Sequence, residues 1–265
     1  MSRLNDKFDQ LKNSGRKGLI VYLTAGCPNF DDTLQAVLKL EQAGADIVEI
    51  GIPFSDPMAD GPVIQKAAVM ALKGGATTGK VQELVERIRQ KSAIPLAVMT
   101  YVNSIIQFGT EKFIHSFATA GIDGVIVPDL PVEEAAIVAP VCRNFDMDFI
   151  QFVAPTTTSE RIQALTSQAT GFIYCITSTG VTGVREIDYR PIAAVIEKVR
   201  NRTQVPLAVG FGIGSPESAR QAARYADGVI VGSAVMERMM TGGIDTARDL
   251  VRSIRQALDE GETGG

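Results

Sequence analysis

The chain has 265 residues, of which 45% are hydrophobic and 21% charged, with a net charge of −4 and a pI near 5.2. This composition is typical of a globular protein with a full core, and the acidic balance argues against a nucleic-acid-binding surface. The length fits one large α/β domain or two small ones, and no apolar run reaches the ~18 residues that a membrane-spanning helix needs.

The cysteines indicate a reducing compartment. Cys27, Cys142 and Cys175 are odd in number and far apart in the chain, so we expect buried free thiols rather than a disulfide framework or a zinc site. The N-terminal residues also lack the apolar core of a signal peptide. We therefore expect a cytoplasmic protein, or one of the plastid stroma if the source is a plant, although no transit peptide is present.

Apolar periodicity and glycine or proline stops predict eight strands that alternate with helices. The strands are predicted at residues 19–24, 47–52, 95–100, 122–127, 149–153, 171–176, 205–210 and 227–231. Helices are predicted at residues 4–12, 62–72, 78–91, 159–168 and 191–200, and another from Asp31 or Asp32 to residue 42. Two further helices are interrupted: residues 101–120 have a break at Gly109, and residues 132–144 have a kink or a shortening at Pro140. The last two begin after a Ser215 cap, with Pro216 in the first position, and at Gly232-Ser233.

This order of elements favours a closed barrel. Several strands are nearly continuous in apolar residues, as in a parallel sheet that is covered on its outer side. Eight such units in ~250 residues match a (β/α)8 TIM barrel. A doubly wound open sheet is the competing fold, but it rarely runs to eight regular units. We expect one barrel domain over residues 1–265, with an extra N-terminal helix.

The second predicted strand carries an unusual carboxylate. Alternation places Glu49 on the same face as Ile47 and Gly51, while the opposite face is wholly aliphatic. A charge on a covered strand is costly unless another group pairs with it or the protein uses it. Because no Lys or Arg is predicted to point inward nearby, a functional role for Glu49 is favoured over a core ion pair.

The loop after this strand carries two further acids. Asp60 precedes Gly61-Pro62, so a helix N-cap and a functional role are about equally consistent with its position. Asp56 fits a residue that stabilises its own turn or faces a partner. His115, the single histidine, is expected on the surface, and we expect no metal site. No lysine lies at a strand end, which argues against a Schiff-base aldolase.

Glycine-rich loops follow strands six, seven and eight, where barrel enzymes commonly bind phosphate. Gly212, Gly232 and Ser233 can bring their backbone N–H groups close to phosphate oxygens. A dinucleotide fingerprint at residues 210–214 fails, because its third glycine comes one residue early. The residues alone therefore predict an acid–base enzyme that acts on a phosphorylated small molecule without a cofactor.

Five stretches of the chain resemble the tryptophan synthase alpha subunit family. They are residues 45–65, Tyr22-Leu-Thr-Ala-Gly-Cys-Pro28, Pro128-Asp-Leu-Pro-Val-Glu-Glu134, Gly180-Val-Thr-Gly183 and Gly210-Phe-Gly-Ile213. The resemblance runs through essentially the whole chain. It implies a (β/α)8 barrel that cleaves indole-3-glycerol phosphate to indole and glyceraldehyde 3-phosphate.

The resemblance also implies roles for individual residues. Glu49 would protonate the indole ring carbon and take up the glycerol hydroxyl proton, while Asp60 would hold the indole N–H. The indole pocket would be lined by Met99, Tyr101, Tyr174 and Phe211, and phosphate would be bound at Gly183, Gly212, Gly232 and Ser233. Residues 178–184 match a mobile lid, with Thr182 expected to reach Asp60 on closure.

The family passes indole through a tunnel to a pyridoxal-phosphate beta subunit in an αββα complex. Pro53 and Asp56 lie in the stretch that faces this partner. Many members have Arg where this chain has Ser178, so we expect the lid to close less firmly here. Two alternatives stay open: a stand-alone lyase that releases indole, and a subunit whose main work is to activate its partner.

Overall fold

Eight parallel strands pair in chain order and close into a barrel in this computed structural model, which describes residues 2–177 and 188–260. The barrel closes because β1 pairs with both β2 and β8. The strands are β1 Gly18–Thr24, β2 Ile47–Gly51, β3 Leu96–Met99, β4 Gly124–Ile126, β5 Asp148–Val153, β6 Ile173–Ile176, β7 Leu207–Gly210 and β8 Gly228–Val231. The prediction of a (β/α)8 barrel is therefore confirmed.

Helices cover the outside of the barrel. They are α1 Arg3–Asn13, α2 Phe30–Gln42, α3 Pro62–Lys73, α4 Thr78–Arg89, α5 Val102–Phe108, α6 Thr110–Ala120, a 3-10 helix Val132–Ile137, α7 Ala139–Asn144, α8 Ser159–Thr166, α9 Arg190–Arg200, α10 Pro216–Ala223 and α11 Ser233–Glu260, which is kinked at Gly243. None of these helices is long and apolar enough to cross a membrane.

Alternate strand residues form two cores. One lies between strands and helices, and the other fills the barrel itself with side chains such as Ile20, Ile47, Ile150 and Ile230. The additional helix α1 closes the N-terminal end of the barrel, since its Leu4, Phe8 and Leu11 belong to the interior core. The opposite, C-terminal end is therefore the end at which a ligand can reach the interior.

Aspartates fix the starts of several strands. Asp46, Asp123 and Asp227 each accept a backbone N–H from the first part of a neighbouring strand, at 2.8 to 2.9 Å. Each aspartate also pairs with an arginine, and the Arg89–Asp123 contact is 2.8 Å long. These contacts lie at the N-terminal end of the barrel, where they stabilise the fold rather than contribute to a site.

Some predicted element boundaries were wrong. Asn29 caps α2, because its side chain accepts the Asp32 N–H, so neither Asp31 nor Asp32 is the cap. The predicted helix 132–144 is a 3-10 turn followed by the short α7, with Pro140 in the first turn of α7, where its missing N–H costs nothing. The strands β3, β4, β6 and β7 are also two or three residues shorter than predicted.

Candidate active site

Glu49 points from β2 into the barrel. Its carboxylate is buried, with 1% exposure, and neither oxygen has a hydrogen-bond partner in the described part of the chain. Burial in this apolar interior raises the pKa of Glu49 to about 8. No Lys or Arg among the described residues forms a hydrogen bond with these oxygens. At neutral pH this side chain is a protonated acid that is able to donate a proton.

Asp60 lies in the loop between β2 and α3. Tyr101, which precedes α5, donates its hydroxyl hydrogen to Asp60 Oδ2 at 3.0 Å and accepts the Ala59 N–H at 3.1 Å. Burial raises the pKa of Asp60 to about 6, and the Tyr101 hydrogen bond opposes this rise. The N-cap of α3 is Gly61, with no side-chain cap, so the capping explanation of Asp60 was wrong. Its carboxylate is free for another use.

The loop that carries Asp60 is held against the start of α5 by an aromatic contact. Phe54 stacks on Tyr101 with ring centroids 5.0 Å apart and planes 21° apart. Asp56 is exposed and accepts the Ser55 hydroxyl at 2.6 Å, which agrees with the predicted role in its own turn. The next loop residue but one, Met58, is 91% exposed. The loop thus combines an inner side that Phe54 anchors with an outer side on which Asp56 and Met58 are exposed.

Aromatic rings form one wall of the barrel mouth. Tyr174, on β6, lies with its ring centroid 5.0 Å from Phe152 and 6.3 Å from Phe211. Burial raises the pKa of Tyr174 well above its ordinary value, and the charges of Glu49 and Asp60 add to the rise. Tyr174 therefore lies in the same electrostatic environment as both carboxylates. This wall is a suitable surface for a flat, apolar ring.

Phe211 has a backbone conformation that is rare for a residue with a side chain. Its φ is 74°, and Gly212 follows with a φ of 75°. Thr177 contributes to holding this loop by donating its hydroxyl to the Phe211 carbonyl at 3.1 Å. Such backbone strain is concentrated at functional sites, where the surrounding structure holds a side chain in a required position.

The candidate phosphate residues lie on adjacent units of the barrel. Gly212 follows β7, while Gly232 and Ser233 join β8 to α11. In the first turn of α11, the Val235 N–H donates to the Gly232 carbonyl at 3.0 Å. A Cβ at Gly214 would lie 3.4 Å from Ala234 Cβ, so the two loops touch. The first N–H groups of α11 have no acceptor within their own helix, which makes this corner suitable for an anion.

Two predicted site residues, Thr182 and Gly183, lie outside the described residues, as do Ser178 and the rest of the predicted lid 178–184. The structure brings Glu49, Asp60, Tyr101, Tyr174 and Phe211 together at the C-terminal end of the barrel. Met99, on β3, packs against both cores at the same end. Among the described residues, no group of three or more His, Cys, Asp or Glu side chains could hold a metal ion.

The sequence interpretation missed two aromatic residues of the mouth, Tyr22 and Phe152. Tyr22 is the register partner of Glu49 on β1, and Phe152 contacts Tyr174. Both could have been found from the alternation of their strands. Tyr22 shares its face with the inward residue Ile20, and Phe152 shares its face with Ile150.

Comparisons with known proteins point to one family. A family model described as tryptophan synthase alpha chain matches residues 8–261. The tryptophan synthase alpha chain of Caldanaerobacter subterraneus subsp. tengcongensis is 44% identical over 263 residues, which cover 97% of this chain and all of that protein. The corresponding chain of Synechococcus elongatus is 43% identical, with 98% of each protein covered.

Solved structures give the same result. A crystal structure of tryptophan synthase subunit alpha from Legionella pneumophila is similar with a TM-score of 0.89 and 35% identity, over 98% of this chain and 99% of that one. A chain of tryptophan synthase from M. tuberculosis, in its aminoacrylate-bound form, gives a TM-score of 0.89 and 33% identity, over 97% of this chain and 100% of that one.

Proposed function

The chain belongs to the tryptophan synthase alpha chain family, and from this premise we propose that Glu49 and Asp60 cleave indole-3-glycerol phosphate to indole and glyceraldehyde 3-phosphate. The protein is a carbon–carbon lyase of tryptophan biosynthesis and pairs with a beta subunit. The observation that carries the residue assignment is Glu49, a carboxylate with both oxygens buried and unpaired inside the barrel mouth.

Binding orients the substrate before any bond changes. The indole ring lies against Tyr174 and Phe211, and its N–H donates to the Asp60 carboxylate that Tyr101 holds in place. The phosphate lies at Gly183, Gly212, Gly232 and Ser233, and we expect Thr182 to reach Asp60. Because both ends of the substrate are held, the C–C bond to be broken lies over Glu49. This fixed orientation by itself increases the rate of cleavage.

Glu49 moves protons in both directions. Protonated Glu49 first gives its proton to the ring carbon that bears the glycerol chain, and the Asp60 carboxylate stabilises the positive charge that develops at the ring nitrogen. The Glu49 carboxylate then removes the proton of the adjacent glycerol hydroxyl. The electrons of the O–H bond form the aldehyde C=O, and those of the broken C–C bond return to the ring. Glu49 ends the cycle protonated, so protons and electrons balance.

The pKa values of the two acids suit these roles. A pKa of about 8 keeps Glu49 protonated at neutral pH, and a pKa of about 6 keeps most Asp60 ionised. The best general acid or base has a pKa near the working pH, and Glu49 meets this condition. The chain itself holds no cofactor in this mechanism, since every step uses a carboxyl group and the substrate.

The loop after β2 supports a partner-facing role for Pro53 and Asp56. Its inner side stacks on Tyr101 through Phe54, while Met58 exposes 91% of its surface. Binding of the beta subunit in an αββα complex would cover Met58 and press directly on the loop that carries Asp60. A cytoplasmic location is part of the proposal, because the three cysteines are buried free thiols of the kind that reducing compartments favour.

One assay tests this function. Indole and glyceraldehyde 3-phosphate are measured as products of indole-3-glycerol phosphate, for the chain alone and with a beta subunit present. We expect both products in equal amounts and a faster rate with the partner. If the partner leaves the rate of product formation unchanged, the result favours a stand-alone lyase. If activity is seen only in the beta subunit, the result favours a partner-activating role. The absence of product under both conditions would contradict the proposal.

A further inference from the structure

Tyr22 occupies a central place in the site that the mechanism above leaves unused. Its Cα is the register partner of Glu49 on the neighbouring strand, and its side chain points into the barrel with 8% exposure. The ring extends over the end of β2, where a Cβ at Gly51 would overlap the Tyr22 hydroxyl oxygen. Its Cβ also approaches the candidate phosphate loop, since a Cβ at Gly232 would lie 3.3 Å from it.

The hydroxyl of Tyr22 is oriented by a second polar side chain. Thr24, which is 1% exposed, donates its hydroxyl hydrogen to the Tyr22 oxygen at 3.3 Å. In the ranges 2–177 and 188–260, Thr24 is the one hydrogen-bond partner of the Tyr22 hydroxyl. At 3.3 Å this contact is long for two hydroxyl groups, so the Tyr22 O–H group can donate to an acceptor that a ligand supplies.

The surroundings keep this hydroxyl a donor. Burial raises the pKa of Tyr22 far above its ordinary value, and the charges of Asp60 and Glu49 add to the rise. The O–H group therefore stays protonated at any pH at which the protein works. Its position near both carboxylates places it beside the space in which the substrate reacts.

We infer that Tyr22 is a further catalytic residue, which donates a hydrogen bond to the substrate oxygen that Glu49 deprotonates, and that Thr24 is a positioning residue that orients the Tyr22 hydroxyl. The inference rests on the proposed function. It adds to the site a neutral donor that acts on the oxygen, whereas Asp60 acts on the ring nitrogen.

The chemistry of the step explains why a donor is useful there. When Glu49 takes the hydroxyl proton, negative charge develops on that oxygen before the C–C bond has fully broken and the C=O has formed. A hydrogen bond to this oxygen is stronger in the transition state than in the bound substrate, so it lowers the barrier rather than only tightening binding. Tyr22 keeps its own proton throughout, and the balance of the reaction is unchanged.

The first test is Tyr22→Phe, which removes the hydroxyl and keeps the ring. We expect kcat to fall about three- to tenfold, the size expected for the loss of one neutral hydrogen bond, while KM changes less than twofold. The matched control is Tyr225→Phe, because Tyr225 precedes β8 at the opposite end of the barrel and is 36% exposed. An unchanged kcat in Tyr22→Phe, or a rise in KM alone, would overturn the inference.

The second test addresses Thr24. Thr24→Val should lower kcat by a smaller factor, Thr24→Ser should restore it, and Thr24→Val should have no further effect in a Tyr22→Phe background. Thr100→Val is the control, since Thr100 is 1% exposed at the end of β3 and its hydroxyl has no partner among the described residues. Equal, additive losses from Thr24→Val in both backgrounds would contradict an orienting role, because Thr24 would then act independently of Tyr22.

Glu49→Gln separates this inference from the proposed function. If Glu49→Gln is inactive while Tyr22→Phe has the full wild-type kcat, the inference about Tyr22 is wrong and the proposed function stands. If Glu49→Gln turns over at the wild-type rate, the proposed function fails, and the inference fails with it. Thermal midpoints of all variants within a few degrees of the wild type exclude misfolding as the cause of any loss.

Discussion

Two carboxyl groups at the barrel mouth differ in the form that they adopt at neutral pH. Glu49 has no polar partner among the described residues, so burial alone sets its pKa, at about 8. Asp60 is less enclosed and accepts a hydrogen bond from Tyr101, so its pKa rises only to about 6. Between pH 6 and pH 8, Glu49 is therefore mainly protonated while Asp60 is mainly a carboxylate. This is the combination that the mechanism requires, with Glu49 as the acid and Asp60 as the group that stabilises the ring charge.

This difference predicts a bell-shaped pH profile. Below about pH 6, Asp60 gains a proton and cannot stabilise the ring charge; above about pH 8, Glu49 loses the proton that it must donate. We expect kcat/KM for indole-3-glycerol phosphate to fall below about pH 6 and above about pH 8, because this parameter reports the ionisation of groups in the free enzyme. A profile that is flat from pH 5 to 9 would contradict the assignment of both residues.

Tyr101→Phe tests the contact that tunes Asp60. The Tyr101 hydrogen bond lowers the pKa of Asp60, so its removal should raise that pKa and move the acidic limb of the profile to higher pH. The alkaline limb, which Glu49 sets, should stay in place. Tyr225→Phe is the control and should leave both limbs unchanged. A shift of the acidic limb to lower pH in Tyr101→Phe would show that the sign of this argument is wrong.

At the scale of elements, β2 and its neighbours are shaped around large inward side chains. Gly51 leaves room for the Tyr22 hydroxyl, and Gly210 does the same for Tyr174, because a Cβ at either glycine would overlap the tyrosine. Each glycine lies at the C-terminal end of its strand, on the inward face. Strand-end glycines in this barrel thus provide the space for the aromatic rings of the site.

Gly51→Ala should therefore damage the site. The new methyl group forces Tyr22 to move, so we expect a fall in kcat/KM and a loss of about 1–3 kcal/mol of unfolding free energy, typical of overpacking. Gly79→Ala, in the first turn of α4, is the matched control, because a Cβ there meets no atom within 4 Å. That variant should be stable and fully active. Urea unfolding and steady-state kinetics of both variants measure the contrast.

The sequence predicted element types better than element ends. Alternation in β2 identified the inward face of Glu49, and glycine and proline stops located every strand. The ends depend on contacts from distant residues: Thr170, for example, accepts the Phe149 N–H at the start of β5. The role of Asp60 was undecided for the same reason, since Tyr101, which holds its carboxylate, lies 41 residues further along the chain.

At the scale of the whole molecule, the two ends of the barrel do different work. The N-terminal end is closed by α1, and Arg3 joins that helix to Asp123 at 2.8 Å. Asp123 also accepts the Leu96 N–H and pairs with Arg89. The C-terminal end carries Asp60 and also Glu49, which has no hydrogen-bond partner among the described residues. The count of strands predicted a barrel, but these ion pairs, which join residues 34 to 120 positions apart, could not be predicted from periodicity.

Asp123→Ala tests the stabilising end. The substitution leaves the largely buried Arg89 without its carboxylate and the Leu96 N–H without an acceptor, so we expect a loss of about 3–5 kcal/mol of unfolding free energy. The pKa of Glu49 and the pH profile of the folded variant should stay as in the wild type, because Asp123 lies at the far end. Asp9→Ala, at an exposed position of α1, should change stability by no more than about 0.5 kcal/mol. Similar losses in both variants would contradict this division of the barrel.

The most direct test of the acid–base role is the turnover of Glu49→Gln, measured as glyceraldehyde 3-phosphate formed from indole-3-glycerol phosphate with the beta subunit present. Glutamine keeps the shape of the side chain but cannot exchange protons, so we predict a fall in kcat of about 10²–10⁴-fold. Binding of an uncleavable indole phosphate, followed by its fluorescence in a chain that contains no Trp, should be retained. Glu83→Gln, at an exposed position of α4, is the control and should be fully active. Wild-type turnover in Glu49→Gln would contradict the central claim.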